Sequence, residues 1–176
     1  MTEARLVEDE HGALRPAGDG WFVVNARQAA WGDGDYGAGC TFENREARFP
    51  QLGINLNVLQ PGQPMCLYHR ENAQEDFLVL AGECLLLVEG EERPLRQWDF
   101  VHCPAGVDHV FVGAGAGPSI VLAVGARVEP EEIVYPVSTV AQKYGASVDV
   151  ETPDPDVAYA SYSGGRVRYE EGWLPE

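Results

Sequence analysis

Residues 61–83 read PGQPMCLYHRENAQEDFLVLAGE, and this stretch contains the candidate metal ligands His69, Glu71 and Glu75. His69 and Glu71 are two residues apart, so on a β-strand both side chains point to one face. Glu75 lies two and four residues before Phe77 and Val79, so on a strand its side chain is on the same side as theirs. It lines the same apolar interior as His69 and Glu71 if the loop between keeps the side chains on that side. The stretch therefore predicts one imidazole and two carboxylates on the inside of a β-structure.

A second stretch, residues 98–113, reads WDFVHCPAGVDHVFVG and adds His109. Together the two stretches resemble the motifs of the cupin family, G-x5-H-x-H-x3,4-E-x6-G and G-x5-P-x-G-x2-H-x3-N. The residues that take the motif positions are His69, Glu71, Glu75 and Gly82 in the first motif and Pro104, Gly106 and His109 in the second. The short spacer between the motifs, residues 83–97, is similar to that of compact bacterial cupins.

The chain departs from the family pattern at four points. Glu71 stands where the family has its second histidine, Trp98 replaces the leading glycine of the second motif, and Gly113 replaces its closing asparagine. Six residues rather than five separate Gly62 from His69. These departures bear on the chemistry of the site more than on the fold.

The resemblance implies an all-β fold: a cupin-type double-stranded β-helix, or jelly-roll, barrel followed by a short C-terminal helix and an extended tail. It also implies one divalent metal ion (Fe, Zn, Mn or Ni) held by His69, Glu71, Glu75 and His109. Nitrogen and oxygen ligands suit these metals, and two carboxylates would neutralise the charge of the ion in an apolar cavity. Glu71 and Glu75 are also candidate catalytic bases where they do not bind the metal.

Two alternatives stay open for these residues. In the first, His69 and His109 line a pocket that holds no metal, because the glutamate at position 71 has taken the place of a histidine whose nitrogen the metal needs. We favour a metal, because a pair of buried carboxylates with no partner would be costly. Glu71 is either a ligand or a solvent-facing loop residue. Four neighbouring polar residues are expected at the surface or at an interface: Tyr68, Arg70, His102 and Asp108.

Apolar residues at every second position predict short strands through the middle of the chain. The alternation is clearest at residues 51–58. The predicted strands are residues 21–25, 51–58, 77–80, 84–88, 98–103, 109–112 and 120–128. Residues 77–80 and 84–88 are expected to form a hairpin.

Outside the strands, the glycine-rich residues 31–39 are predicted to form a loop. A single helix is predicted at residues 137–144, with Ser138 as N-cap and Gly145 as the end. Three regions follow: a polar, loose N-terminal arm at residues 1–20, a barrel at 21–130 with its core motifs in 61–113, and a short helix with an aromatic tail at 131–176. The tail aromatics are expected to dock onto the barrel or onto a second subunit.

Composition excludes several classes of protein. The net charge is −16, and Lys143 is the only lysine among twelve basic residues, so binding to a phosphate backbone is not expected. No apolar run reaches the roughly 18 residues of a transmembrane helix, and no apolar segment follows a basic start, so we expect a cytoplasmic protein with no membrane partner. The four cysteines form no CxxC pair, which predicts free thiols.

Two functions fit these features. The first is a metal-dependent enzyme acting on a small polar molecule; dioxygenation is favoured, and isomerase, epimerase or lyase chemistry is possible within the family. The second is a non-catalytic module that binds a small ligand, with a structural metal or none. In both cases cupins similar to this chain commonly form homodimers, so a homodimer is expected.

Overall fold

The computed structural model describes residues 2–43 and 48–176. The chain in these ranges is mostly β-structure, which confirms the predicted all-β class. The strands are β1 (Arg5–Glu8), β2 (Leu14–Ala17), β3 (Ala30–Gly34), β4 (Ala38–Thr41), β5 (Leu52–Leu59), β6 (Arg70–Glu71), β7 (Glu75–Ala81), β8 (Glu83–Val88), β9 (Glu91–Arg96), β10 (Phe100–Cys103), β11 (His109–Ala114), β12 (Ser119–Ala126), β13 (Ile133–Val134) and β14 (Gly164–Val167). The helices are a 3-10 turn (Ala26–Gln28), α1 (Thr139–Gln142) and α2 (Pro155–Ala158).

Two main sheets face each other across the core. The larger sheet has the strand order β10-β7-β12-β5-β4-β3-β14, and the smaller has the order β11-β8-β9. The segment before β6 extends the smaller sheet, because Pro64 and His69 form antiparallel bridges with Val112 and His109. Eight buried side chains fill the space between the sheets: Leu59, Phe77, Val79, Cys84, Leu86, Cys103, Phe111 and Val121.

The hairpin predicted from residues 77–80 and 84–88 is wrong. β7 pairs with β10 and β12 in the larger sheet, whereas β8 pairs with β11 and β9 in the smaller one. Gly82 lies between them with φ +71°, and a Cβ there would lie 2.5 Å from the carbonyl oxygen of Pro118. Only glycine combines this left-handed conformation with such close backbone approach, so Gly82 is where the chain crosses from one sheet to the other.

Several local predictions near the termini are also wrong. The glycine-rich residues 31–39 supply most of β3 and part of β4 rather than a loop, and the supposedly loose residues 1–20 contain the β1–β2 hairpin. Within the described ranges residues 21–25 belong to no strand, and Trp21 forms an isolated bridge with Glu3. Backbone pairing with neighbouring strands overrides the weak strand propensity of glycine here.

The aromatic tail docks onto the barrel. β14 pairs with β3, and Trp173 and Tyr169 pack on the buried Trp31, with ring centroids 4.9 and 5.8 Å apart. This contact covers the outer face of the larger sheet. The tail is therefore part of the folded unit.

The predicted helix is present but short. α1 begins after Ser138, whose hydroxyl accepts a hydrogen bond from the backbone N–H of Ala141 at 3.2 Å, which confirms the N-cap. Gly145 follows the helix with φ +70°. No helix within the described ranges has both the length and the apolar character needed to span a bilayer.

Trp98 occupies the motif position at which cupins have glycine, and its backbone explains that preference. Its φ is +76° in the tight turn between β9 and β10, where its N–H donates to the carbonyl of Val79 at 2.8 Å. The side chain is 66% exposed. The indole therefore contributes little packing, while the backbone is held in a conformation that is unfavourable for L-residues.

Comparison of Trp98→Gly with Trp98→Ala is expected to reveal this strain. Both variants remove the indole, but only glycine adopts a left-handed conformation freely. We expect Trp98→Gly to unfold with a free energy roughly 0.5–1 kcal/mol higher than Trp98→Ala. Urea denaturation of the two variants measures the difference. Equal stabilities would show that the turn holds no backbone strain.

Candidate metal centre

His69 and His109 are directly opposite each other on neighbouring segments of the smaller sheet. The N–H of His109 donates to the carbonyl of His69 at 2.8 Å, and the N–H of His69 donates to that of His109 at 3.1 Å. Cross-strand partners in an antiparallel pair project to the same side of the sheet. The two rings accordingly lie with centroids 4.9 Å apart, and both residues are buried.

Each imidazole is oriented by a backbone carbonyl. Nδ1 of His69 lies 2.8 Å from the oxygen of Leu67, and Nδ1 of His109 lies 3.0 Å from the oxygen of Val107. A carbonyl accepts only, so each Nδ1 carries the proton and donates it. In the neutral tautomer this leaves both Nε2 atoms as lone-pair donors, the usual second contact of a metal-binding histidine.

Glu75 brings a carboxylate from the opposite sheet. Its Oε2 lies 3.3 Å from His109 Nε2 and 3.8 Å from His69 Nε2. The strand register places Glu75 on the same inner face as the core residues Phe77 and Val79, as their shared parity predicts. Gly125 lies opposite Glu75 on β12, so no neighbouring side chain fills the space beside the carboxylate on that strand.

Burial and mutual contact shift the pKa values of the three groups. Burial lowers the pKa of His69, and the adjacent His109 lowers it further. Burial would by itself raise the pKa of Glu75 and lower that of His109, but the interaction between them is stronger. The pKa of Glu75 is therefore below its usual value and that of His109 above it. The negative charge of Glu75 therefore favours a positive charge between His69, Glu75 and His109.

The arrangement fits a divalent metal ion. One ligand atom from each of His69, Glu75 and His109 lies within 4.8 Å of the other two. Within the described residues the buried Nε2 of His109 has no hydrogen-bond partner, and a metal ion or a proton between it and the Glu75 carboxylate would use its lone pair. Atoms that bind one ion at about 2.1 Å lie roughly 3.0–3.4 Å apart, so only small side-chain movements are needed. Two histidines and one carboxylate with open positions suit Fe, Mn, Zn or Ni.

Glu71, the fourth predicted ligand, lies beside this group. Its Oε1 is 3.8 Å from His69 Nε2, but the compact set of three does not include it. Burial and the negative charge of Glu75 raise the pKa of Glu71 to about 7. The Glu71 carboxylate thus points toward the candidate metal centre rather than toward bulk solvent, and it lies beside the group of three candidate ligands.

The four polar neighbours of the motifs differ in position. The prediction that Tyr68 points outward is wrong: it is buried, and its hydroxyl accepts a hydrogen bond from Gly90 N–H at 3.1 Å. Arg70 forms an ion pair with Asp108 at 3.0 Å. His102 is at the surface and pairs with Asp76 at 2.7 Å.

Two residues near the centre escaped the sequence-based prediction. Sγ of Cys66 lies 3.6 Å from Nδ1 of His69, and burial raises the pKa of its thiol. The buried ring of Tyr135 lies 6.1 Å from the ring of His69. Cys66 carries no motif signal, and Tyr135 comes from a segment far along the chain. All four cysteines are free, as predicted.

Comparison with known proteins supports the fold. The family model described as Cupin domain matches residues 55–125. A sugar phosphate isomerase from Silicibacter pomeroyi has 23% identity and a TM-score of 0.50, covering 78% of this chain and 80% of that chain. No curated protein matches.

Two further solved structures have a similar fold at lower sequence identity. A predicted oxalate decarboxylase from Thermotoga maritima has 20% identity and a TM-score of 0.53, covering 60% of this chain and 99% of that chain. The polyketide cyclase RemF from Streptomyces resistomycificus has 14% identity and a TM-score of 0.53, covering 62% and 82%. At these identities the likeness shows the fold, which confirms the predicted double-stranded β-helix.

Proposed function

We propose that the protein is a metal-dependent enzyme of the cupin family that acts on a small molecule; its residues 55–125 match the family model described as Cupin domain. One observation carries the proposal. His69 just before β6, Glu75 on β7 and His109 on β11 each bring one ligand atom within 4.8 Å of the other two. A site of this kind leaves coordination positions open for a substrate.

The chain's own groups have distinct roles in this proposal. His69, His109 and Glu75 would hold the ion, and the carbonyls of Leu67 and Val107 keep each Nε2 directed at it. A bound divalent ion supplies a Lewis acid that polarises an oxygen atom of the substrate. Glu71 lies next to the three ligands without belonging to their compact group, so it is placed to accept a proton from the substrate or to serve as a fourth ligand.

Among the reactions open to such a site, we propose dioxygenation. The support is the adjoining cavity, whose wall includes Tyr36, Met65 and Tyr159. A sugar isomerase requires more polar walls to bind the hydroxyl groups of its substrate. A non-catalytic binding module would hold the same metal and ligand without turnover. Oxygen uptake by Fe(II)-loaded protein with catechols, thiols or keto acids supports the oxygenase, and its absence with all three classes favours the binding module.

Metal content tests the ligand assignment. We expect one equivalent of Zn(II) to remain after dialysis in the wild type and in Glu71→Gln, and far less in Glu75→Gln. Glutamine keeps the size of the side chain but removes the charge that Glu75 brings within reach of both imidazoles. Elemental analysis of the dialysed proteins measures the difference. Equal retention by Glu71→Gln and Glu75→Gln would contradict the separate roles given to the two carboxylates.

The homodimer and the cytoplasmic location stay predictions. So does the division at residues 20 and 130, although the docked tail makes the third region continuous with the barrel.

A further inference from the structure

A cavity of about 590 Å³ opens beside the metal centre. Its wall includes Met65 and Cys66, and Cys66 approaches the ring of His69, with 3.6 Å between Sγ and Nδ1. The residues that line the cavity in the described part of the chain do not include the three metal ligands. Cys66 therefore marks the boundary between the cavity and the metal centre.

The strand register explains why this space is empty. Residues directly opposite on neighbouring strands share a face of the sheet. One row of such residues crosses the larger sheet in the order Val79, Val121, Asn57, Gly39, Gly32 and Arg166. The two valines fill the core, whereas the two glycines project no side chain. The inner face is consequently open between Asn57 and Arg166.

Arg166 brings a free positive charge to this opening. It lines the cavity and is exposed. Among the described residues it forms no hydrogen bond or ion pair, in contrast to Arg70 and Arg127, which pair with carboxylates. Other described arginines, such as Arg5 and Arg96, also lack a carboxylate partner, so the distinguishing feature of Arg166 is its place on the cavity wall. Its planar guanidinium suits bidentate binding of a carboxylate or phosphate.

Aromatic rings line the rest of the opening. Tyr36 and Tyr162 are stacked with ring centroids 5.5 Å apart, and Tyr159 meets Tyr36 edge-on at 5.5 Å. All three line the cavity. Such walls favour a flat, apolar molecular body, and Thr41, Asn55 and Asn57 add hydrogen-bonding groups.

We propose that this cavity binds a small planar organic acid, whose carboxylate or phosphate group pairs with Arg166 and whose other end is directed past Cys66 toward the metal centre. The direction of the ligand rests on the proposed function. Binding of the acid to Arg166 does not, because the contact needs no metal. The proposal thus names the class of substrate for the candidate centre.

Binding of three probes to the metal-depleted protein tests it: benzoate, phenyl phosphate and benzyl alcohol, the last as a neutral molecule of the same shape. Isothermal titration calorimetry is applied to the wild type, to Arg166→Gln and to Arg168→Gln. Arg168 is a matched control, because its Nε donates to the carbonyl of His11 at 2.9 Å and it lies outside the cavity. We expect Arg166→Gln to bind the preferred acid at least tenfold more weakly, with Arg168→Gln unchanged and benzyl alcohol unaffected by either substitution.

The relative losses for phenyl phosphate and benzoate identify which anion the site prefers. If neither acid binds the wild type at millimolar concentration, or if Arg166→Gln and Arg168→Gln weaken binding equally, the proposal is overturned. A wild type that binds the acids but retains no metal would contradict the proposed function and leave the anion site intact. A wild type that retains metal but binds neither acid would contradict the anion site and leave the proposed function intact.

A second variant tests the space itself. Gly39→Ala adds one methyl group to the inner face, and its nearest neighbour, Asn57 Oδ1, would lie 3.7 Å away. The fold therefore tolerates the change. We expect several-fold weaker binding of both the acid and benzyl alcohol, with an unchanged thermal midpoint. Unaltered affinity for both probes would place the ligand outside this cavity.

Discussion

His109→Ala is expected to lose affinity for its divalent metal by at least about 100-fold, because changes even to groups that only orient a ligand cost 10–100-fold. His109 is the most buried member of the group, and its Nε2 lies 3.3 Å from the Glu75 carboxylate with no hydrogen-bond partner among the described residues. Its removal leaves one imidazole and one carboxylate, too few to hold an ion tightly. Competition with a fluorescent chelator for Zn(II) measures the loss.

His102→Ala is the matched control. His102 is on β10, which pairs with β7 in the larger sheet. Its side chain is half exposed and pairs with Asp76 rather than with the candidate centre. We expect wild-type metal affinity from this variant. Circular dichroism of both variants verifies that the barrel is intact. Full metal retention by a folded His109→Ala protein would mean that the ion binds elsewhere or does not bind at all.

Gly113→Asn, which restores the asparagine of the family motif, is expected to destabilise this protein by about 3 kcal/mol or more. A Cβ at position 113 would lie 2.2 Å from the carbonyl oxygen of Gln60 and 2.9 Å from that of Leu59. Both contacts are with backbone, which cannot rotate away as a side chain can, so the cost exceeds that of ordinary overpacking. The N–H of Gly113 also donates to the backbone carbonyl of Gln63 at 2.9 Å, and the substitution would disrupt this hydrogen bond.

Gly117→Asn provides the comparison for that experiment. Gly117 is in the next turn, and a Cβ there would meet nothing within 4 Å. We expect its free energy of unfolding to stay within about 0.5 kcal/mol of the wild type. Urea denaturation of both variants gives the two values. Similar stabilities for the two would show that the segment containing Gln60 can move away from β11.

The candidate metal ligands could be predicted from the sequence because their signals are local. Glu75 lies two and four residues before Phe77 and Val79 on β7, which gives its facing directly. The two motifs supply His69, which forms a bridge just before β6, and His109, which begins β11. The alternating residues of β5 and the Ser138 N-cap are local in the same sense. Glu71 shows the limit of this approach, because parity alone does not determine whether its carboxylate enters the coordination group.

Only the tertiary structure decided which strands are neighbours. The chain changes sheets at Gly82, glycine-rich residues become the strands β3 and β4, and Arg166 arrives beside them from more than a hundred residues away in the sequence. These features depend on backbone pairing between distant segments, which leaves no periodic pattern in either one. The amino-acid sequence thus determined on which side of its own strand each side chain lies. The closure of the barrel determined which other residues each side chain meets. The sequence does not show these neighbours, because hydrogen bonding between strands depends little on the identity of the side chains.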